Sequence, residues 1–566
     1  MRLFNDKTKK QILMAMVAWT IAALLTPNIL IVCQWRNPLL LSITNLLLPL
    51  GIYMILLTYV RNRWLTLLWQ LLFMVFCAFD IVLINMYGPT PIGVDMFLNV
   101  ATTNSSEVGE LLGNLMWTML LIIVIYVPSL AFGVYISKER SSLSQKRKVK
   151  KRRMTLCTLG VGLLFAAICK IFYPTEILWR EIFPVNAVGN LAIAVDRYID
   201  NSRYDSHNTS YKYDAKSVRP QDEKETYGVI LVETTRADNW QLFGYERHTT
   251  PELVANSRVI GFGKAMSQSN TTHKIVPMLL SPLDADNYQD LIYDMKSFIT
   301  AFKEAGFKTY FFSNQGRNGA VIDGFGREAD SVTFLRDTNP NALDGELLPL
   351  LKKAVADNAP KKLIVMHTYG SHYSYYDRYP KSCHTFGKDA PSQLVLANRS
   401  ELIDNYDNSV LYTSYVIDQA IKVIEQDSTT SAVFYVGDHG EDIFDDERCR
   451  SLHASPTPTF WQLHVPMLLW FSPQYEELHA NMVANVRANK DKLVASNVAL
   501  CHTLLQAAGI DTHSFKKESS LVDSCYKEPK LLFLNDYNEA VTLEEADFQK
   551  NDFLMLDKMK QSSKLR

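Results

Sequence analysis

Hydrophobic positions along this chain follow two regimes. As far as about residue 173 they form long unbroken runs; beyond it they form short runs separated by stretches with helical spacing. A helix that crosses a bilayer needs roughly 20 mostly apolar residues, because its backbone groups can be satisfied only within the helix. Five segments reach that length: Gln11–Val32, Leu39–Val60, Leu65–Met86, Leu115–Ile136 and Met154–Tyr173. The first is not expected to be a cleaved signal peptide, since no small-residue cleavage site follows it and further spans do. Residues 174–201 mix aromatics and charges (Trp179, Arg180, Phe183, Arg197, Tyr198) and predict interfacial helices. The polar, turn-rich stretch 201–225 reads as a linker.

From Thr226 onward the apolar runs Tyr227–Val232, Thr309–Ser313, Lys362–His367, Ala432–Val436 and Met467–Phe471 predict strands. Helical patterns over Leu291–Ala305, Asn341–Val355 and Asp404–Glu425 fall between them. Strands of continuous apolar character alternating with helices predict an α/β domain whose mostly parallel sheet is covered by helices. The expected organisation is a five-helix transmembrane domain (1–173), interfacial helices and linker (174–225), and an α/β domain (226–566).

Charge adds orientation. The formal net charge of -1 leaves no dominant basic face, which argues against a nucleic-acid partner. Its distribution is uneven. Arg2, Lys7, Lys9 and Lys10 precede the first span, Arg61 and Arg63 lie between the second and third, and Lys138–Arg153 carries nine Lys/Arg against one Glu. These are alternate connections, so the excess of positive charge assigns them to the cytoplasmic side. Five crossings then put everything after Tyr173 outside. In the other external connection, Asn99, Thr103 and Glu107 are spaced four apart, on one face of a helix. Taken alone, that face is a solvated surface. Asp80, near the outer end of the third span, is expected to snorkel to the interface. Cys33, Cys77, Cys157 and Cys169 fall in or beside apolar runs and read as small core residues. In an oxidising compartment Cys383, Cys449, Cys501 and Cys525 could form up to two bridges, in any of three pairings.

Ligands of parallel α/β sheets gather at the carboxyl ends of the strands. There the sequence supplies Glu233, then His367 and His372, then Asp438 and His439. Glu, Asp and His together suit zinc, whose catalytic sites keep a position open for substrate. Any one of these residues could equally form a turn or cap a helix; Asp438-His439-Gly440-Glu441 after a buried strand is the hardest to read that way. His367 reads as a core histidine, and His453 is uninformative by itself. The segment Ser267–Pro277 (SQSNTTHKIVP) offers hydroxyls just before an apolar run. A hydroxyl held by a metal ionises near neutral pH and attacks phosphorus.

The ordered segments ETTRADNWQLFGYERHTTPEL, SQSNTTHKIVP, HTYGSHYSYYDRYP, NYDNSVLYTSYVIDQAI and GDHGED…SLH…HVPMLLWFS resemble the phosphoethanolamine transferases of the alkaline phosphatase/sulfatase superfamily. The likeness extends over nearly all of the soluble part, and a five-span anchor agrees with it. It implies that Glu233, Asp438 and His439 hold zinc, and that Thr272 is the catalytic threonine and also reaches the metal. It places His372 and His453 near the transferred phosphate, where a second zinc could bind. Asn99, Thr103 and Glu107 correspond to residues that help hold the donor. The implied reaction moves phosphoethanolamine from phosphatidylethanolamine to lipid A, lipopolysaccharide core or another envelope glycan, through a phospho-threonine. The implied setting is a monomer in a bacterial inner membrane, with its catalytic domain in the periplasm.

Departures leave the acceptor open. Met266 and Met278 stand where many lipid A-directed members carry cysteines, and the NTT segment differs from their usual form. A lysine common near the phosphate has no clean match in SNQGRNGAVIDG, where Arg317 or Asn318 could substitute. A related alternative is a phosphoglycerol transferase of the lipoteichoic acid synthase type, which favours manganese. Another is an inactive membrane scaffold or sensor. A true sulfatase is disfavoured because His-Lys follows Thr272, in place of the Cys/Ser-x-Pro-x-Arg pattern that becomes formylglycine.

Overall fold

The computed structural model describes residues 6–34, 38–60, 62–102, 115–139, 145–174, 177–204, 210–317 and 321–562. The chain divides into two compact units, one of Met1–Phe97 and Leu111–Val195, the other of Leu98–Glu110 and Asp196–Arg566.

In the first unit, helices Asp6–Gln34, Leu39–Tyr59, Arg63–Tyr87, Met116–Glu139 and Gln145–Phe172 contain the five segments long and apolar enough to cross a membrane. Asn62 starts the third of them, its side chain accepting from the amides of Trp64 and Leu65. The basic run expected as a connection is helical from Gln145 and continuous with the fifth span. Gly51 lets the second and fifth spans approach: a Cβ there would lie 2.7 Å from the Cα of Leu159. Asp80 does not snorkel. It is fully buried, and neither carboxylate oxygen has a hydrogen-bond partner. Its helical spacing from Gln70, Cys77 and Ile84, all buried, puts it on the inward face of the span.

Buried amides fasten the segment after the fifth span. Asn28 Nδ2 donates to the carbonyl of Phe183 at 2.8 Å, and Asn45 Nδ2 to that of Glu181 at 3.3 Å. Short helix Leu178–Glu181 and helix Val185–Ser202 lie where interfacial helices are predicted. Helix Val94–Thr102 carries Asn99, while Thr103 and Glu107 lie outside the described residues.

The second unit is built on a seven-stranded sheet. Its strands are β1 (Glu225–Val232), β2 (Val259–Phe262), β3 (Lys308–Ser313), β4 (Ser331–Phe334), β5 (Lys361–His367), β6 (Thr430–Gly437) and β7 (Met467–Phe471). Their order is β2-β7-β6-β1-β5-β3-β4. The run from β6 to β4 is parallel; β7 is antiparallel to both of its neighbours. The five predicted strands are β1, β3, β5, β6 and β7. Strands β2 and β4 escape the pattern because they are four-residue edge strands with only part of their length buried. The reversal of β7 has a local cause. The chain leaving β6 stays at the carboxyl edge, where Gly440 N bonds Gln462 O and Gly437 N bonds Pro466 O. It must therefore re-enter the sheet from that edge.

Strands β1, β5, β6 and β7 are buried along their whole length, as sheet strands covered on both faces must be. Helix Arg399–Glu425 starts a turn before its predicted boundary. The helix expected over Leu291–Ala305 begins only at Phe298, because Ser297 caps it by accepting from Ile299 N. Likewise a 3-10 turn, Asp344–Glu346, precedes helix Leu347–Val355.

The stretch read as a linker is folded in part onto this unit. Tyr213 is fully buried, Glu304 accepts from the amides of Tyr213 and Ala215, and Lys216–Ser217 pairs with Ile510–Asp511. Tyr211 and Tyr213 stack edge to face, and this apolar anchoring is what a polar average conceals. Cys383, Cys449, Cys501 and Cys525 are all unpaired.

Candidate metal and nucleophile site

Two strand ends and one helix start meet at the carboxyl edge. Glu233 follows β1, Asp438 and His439 follow β6, and Thr272 opens helix Thr272–Leu279. Thr272 Oγ1 donates to Glu233 Oε1 at 2.9 Å and lies 3.1 Å from His439 Nε2. His439 Nε2 is 3.4 Å from Glu233 Oε1 and 3.5 Å from Asp438 Oδ2. Adjacent β1 and β6 run parallel, so their carboxyl ends arrive side by side and no long-range loop need be ordered to bring these groups together.

The backbone fixes how each group faces. Asp438 Oδ1 accepts from the amides of Thr234 and His439, at 2.9 and 2.6 Å. That leaves Oδ2, which is buried and has no hydrogen-bond partner. His439 Nδ1 lies 2.9 Å from the Gly440 carbonyl, which can only accept, so Nδ1 is a donor in either protonation state and Nε2 is the nitrogen left to face a metal. Thr234 sits in the left-handed region (φ 53°), a strained conformation for a β-branched residue. There its hydroxyl donates to Glu233 Oε1 and its amide to Asp438, so the strain is held by both acids. Beneath, Arg236 makes a buried two-pronged pair with Asp445 at 2.9 and 3.0 Å. Tyr406 donates to the Thr234 carbonyl and accepts from Arg236 N.

His453 enters from the turn after Ser451–Leu452, with Leu452 and Ala454 on either side at φ 64° and 67°. Ala454 N bonds the Asn270 carbonyl, tying this turn to the approach to Thr272. One ligand atom each of Glu233, His439 and His453 lie within 4.8 Å of one another. The His439 and His453 rings are 4.2 Å apart, and the His372 ring is 5.8 Å from that of His453. His372, half-buried, donates from Nδ1 to the Tyr373 carbonyl at 2.7 Å, which leaves Nε2 as an acceptor.

The electrostatics suit a cation. Burial pushes the Asp438 carboxyl up to about 8, with the Glu233 charge adding to it. Burial also works against ionised Glu233, but the hydrogen bond and charge of His439 outweigh it and hold that carboxyl below its usual range. Burial disfavours a charged His439, yet Asp438 and Glu233 raise it to about 9. Burial, then the neighbouring His439 and His372, keep His453 neutral. Two acids, one of them Asp438 with its orphaned oxygen, together with an imidazole nitrogen and a hydroxyl form a donor set that fits one divalent cation of borderline softness.

Other candidates fall elsewhere. His367 is buried at the end of β5, 3.5 Å from Ser313 Oγ through Nδ1, and its Nε2 has no partner. It is therefore a core residue, though only partly satisfied. Arg317, a candidate lysine substitute, is half-exposed, pairs with Asp337 at 2.8 Å and lies over the Phe334 ring. Asn318 lies outside the described residues.

Two residues that hold the candidate site in place escape the sequence pattern. Gln315 Nε2 donates to Glu233 Oε2 at 3.3 Å and to the Thr368 carbonyl at 2.9 Å. Asp344 accepts from the amides of Tyr369 and Gly370 and from Asn314 Nδ2, at 2.8, 2.9 and 2.8 Å, and so fixes the loop that carries His372. For Gln315, its place at the end of a predicted strand is the available signal; for Asp344 there is none, since it lies in a turn far along the chain.

The sequence pattern of the family named Sulfatase matches residues 226–510, half of the chain. The chain belongs to the Sulfatase family. Its sulfatase unit is similar to Kdo(2)-lipid A phosphoethanolamine 7''-transferase of Salmonella typhimurium, 28% identical over 57% of this chain and 58% of that protein. It is also similar to phosphoethanolamine transferase EptC of Escherichia coli, 27% identical over 56% of each. The matches thus span less than two thirds of the length of these relatives. The zinc complex of the periplasmic domain of Escherichia coli EptC covers 58% of this chain and 95% of its own, with TM-score 0.53 and 26% identity. Lipooligosaccharide phosphoethanolamine transferase A from Neisseria meningitidis, an integral membrane protein, shares the fold over 91% of this chain and 99% of its own. Its TM-score is 0.73 and its identity 22%.

Proposed function

We propose that this protein transfers phosphoethanolamine from phosphatidylethanolamine to an envelope lipid or glycan, with Thr272 as nucleophile and zinc as resident metal. The observation that carries the reading is Thr272 Oγ1 in contact with both Glu233 Oε1 and His439 Nε2, beside the orphaned Asp438 Oδ2. The similarity to phosphoethanolamine transferases and to a zinc-complexed domain supports the choice of group and metal. Five apolar helices suit an enzyme whose donor lies in a bilayer, and their charge pattern favours an outward-facing catalytic unit in a bacterial inner membrane.

Glu233, Asp438, His439 and Thr272 would hold the metal; when bound, it would lower the pKa of the threonine hydroxyl and offset charge on the phosphoryl oxygens. Glu233 Oε1, which already accepts from Thr272 Oγ1, points the oxygen lone pairs away from itself, and the hydroxyl proton passes to water. Thr272 Oγ1 attacks phosphorus, the bond from phosphorus to the glycerol oxygen breaks, and diacylglycerol leaves with a proton supplied by water. The start of helix Thr272–Leu279 turns the positive end of its dipole toward this phosphate. His372 and His453 flank it as hydrogen-bonding groups and proton carriers. An acceptor oxygen then attacks the same phosphorus, and Thr272 regains its proton as the bond to it breaks.

Trapping tests this directly. Wild-type protein incubated with phosphatidylethanolamine in detergent should yield a Thr272 peptide bearing phosphoethanolamine by mass spectrometry. Thr272→Ala should give none, with zinc content preserved. A phosphoglycerol adduct would favour the alternative transferase, and full activity in Thr272→Ala would sink the nucleophile assignment.

A further inference from the structure

The three segments that carry Thr272, His439 and His453 are tied to one buried residue. Gln462 lies on the short helix Phe460–Leu463 and is fully buried, with Asp442 and Asn270 almost as deep. Its backbone carbonyl accepts from Gly440 N, next to His439, at 2.8 Å. Its Nε2 donates to the carbonyl of Leu452, next to His453, at 3.3 Å. Its Oε1 accepts from Nδ2 of Asn270, two residues before Thr272, at 2.6 Å. Asn270 then clasps the turn that bears His453: Nδ2 also donates to the Ser455 carbonyl at 2.8 Å, and the Asn270 carbonyl accepts from Ala454 N at 3.2 Å.

The neighbours fix which way each amide points. Backbone carbonyls only accept, so Leu452 and Ser455 draw the NH2 groups of Gln462 and Asn270 and leave Gln462 Oε1 for Asn270. Asp442 reinforces this, its Oδ2 accepting from Gln462 Nε2 at 2.8 Å and its Oδ1 from Thr459 Oγ1 at 2.6 Å. Thr459 in turn caps the short helix by accepting from Gln462 N. Burial, then the charge of Asp445, push the Asp442 carboxyl up to about 7, so at pH 8 it is chiefly an acceptor. A donor or acceptor that loses its partner at this depth stays unpaired, so the network holds one arrangement.

We propose that Gln462 is a positioning residue which, with Asn270 and Asp442, keeps the Thr272 oxygen in register with His439 and His453. This role rests on Thr272 being the nucleophile, and a misplacement of about 1 Å can cost such an attack about 100-fold. The test uses zinc-loaded full-length protein in detergent at pH 8. It follows the rate at which the Thr272 adduct forms over a range of phosphatidylethanolamine concentrations. Gln462→Met, of similar length, removes both the donor and the acceptor. It should slow adduct formation about ten- to hundred-fold, with zinc content and the half-saturating donor concentration unchanged. In chelated protein, hydrogen–deuterium exchange of the peptide containing Ala454 should rise about ten-fold in the same variant. Asp442→Asn/Gln462→Glu, which exchanges donor and acceptor between the two side chains, should recover part of both effects. A wild-type rate in Gln462→Met, zinc lost in step with rate, unchanged exchange, or a double variant no better than Gln462→Met would each overturn the proposal. A wild type that forms no adduct would instead remove the nucleophile assignment, and this role with it.

Discussion

Replacing Asp438 with Asn separates the metal-binding role of this carboxylate from its structural one. Asn can keep the Oδ1 acceptor that serves the amides of Thr234 and His439, so no backbone bond need be lost. What disappears is the charge on Oδ2, the atom without a partner. Once a chelator has removed the metal, that charge is a liability. Burial and Glu233 push the Asp438 carboxyl up to about 8, and His439 is raised to about 9. Both groups therefore keep protons that the unfolded chain has released, Asp438 from about pH 3.9 and His439 from about 6.5.

A state that holds extra protons loses stability as pH rises. Between pH 6.5 and 8 both groups act in the same direction, and these two together contribute a fall of at most about 2.7 kcal/mol per pH unit. Asp438→Asn removes one of these protons and the main charge that raises His439, so the part of the slope that these two groups contribute should drop to half or less. At pH 8 the chelated variant should be more stable than chelated wild type by a few kcal/mol, at roughly 2–4 °C in Tm per kcal/mol. With zinc restored the order should reverse, because one ligand is gone and affinity should fall by more than about 100-fold. Scanning fluorimetry at pH 6.5 and 8.0, with and without chelator, reads all four values. A chelated variant less stable than chelated wild type, or a wild-type Tm that does not change over that range, would refute the reasoning.

Other perturbations have comparably specific outcomes. Asp344→Ala removes the acceptor for two buried amides and should lower the turnover of phosphoethanolamine transfer about ten- to hundred-fold while zinc content, by atomic emission, stays unchanged; Asp344→Asn should recover part of the loss. Breaking the buried Arg236–Asp445 pair with Arg236→Met should cost about 3–5 kcal/mol in denaturant unfolding. Arg236→Met/Asp445→Leu should cost less than that single change, since no lone charge stays buried. His453→Gln should weaken transfer without abolishing zinc binding by equilibrium dialysis, because Glu233, Asp438, His439 and Thr272 remain.

Local pattern was enough to establish the five spans, the orientation expected from their flanking charges, and the strands that deliver Glu233, Asp438 and His439. An apolar run must bury its length, and a parallel sheet brings the residues after its strands to one edge. Thr272 came from resemblance, since nothing in a serine- and threonine-rich segment says which hydroxyl turns inward. The facing of groups, by contrast, was settled by tertiary packing. Asp80 lies inside the bundle because its helix presents that face to its neighbours. Tyr211 and Tyr213 bind a polar stretch to the sheet unit because two well-placed rings outweigh an average. Of the two histidines near the end of β5, His367 is held in the core by the strand, and His372 reaches the site on a loop fixed by Asp344. Likewise the orphaned Asp438 oxygen, the atom that most directly calls for a cation, exists only because two amides from different parts of the chain claim its twin.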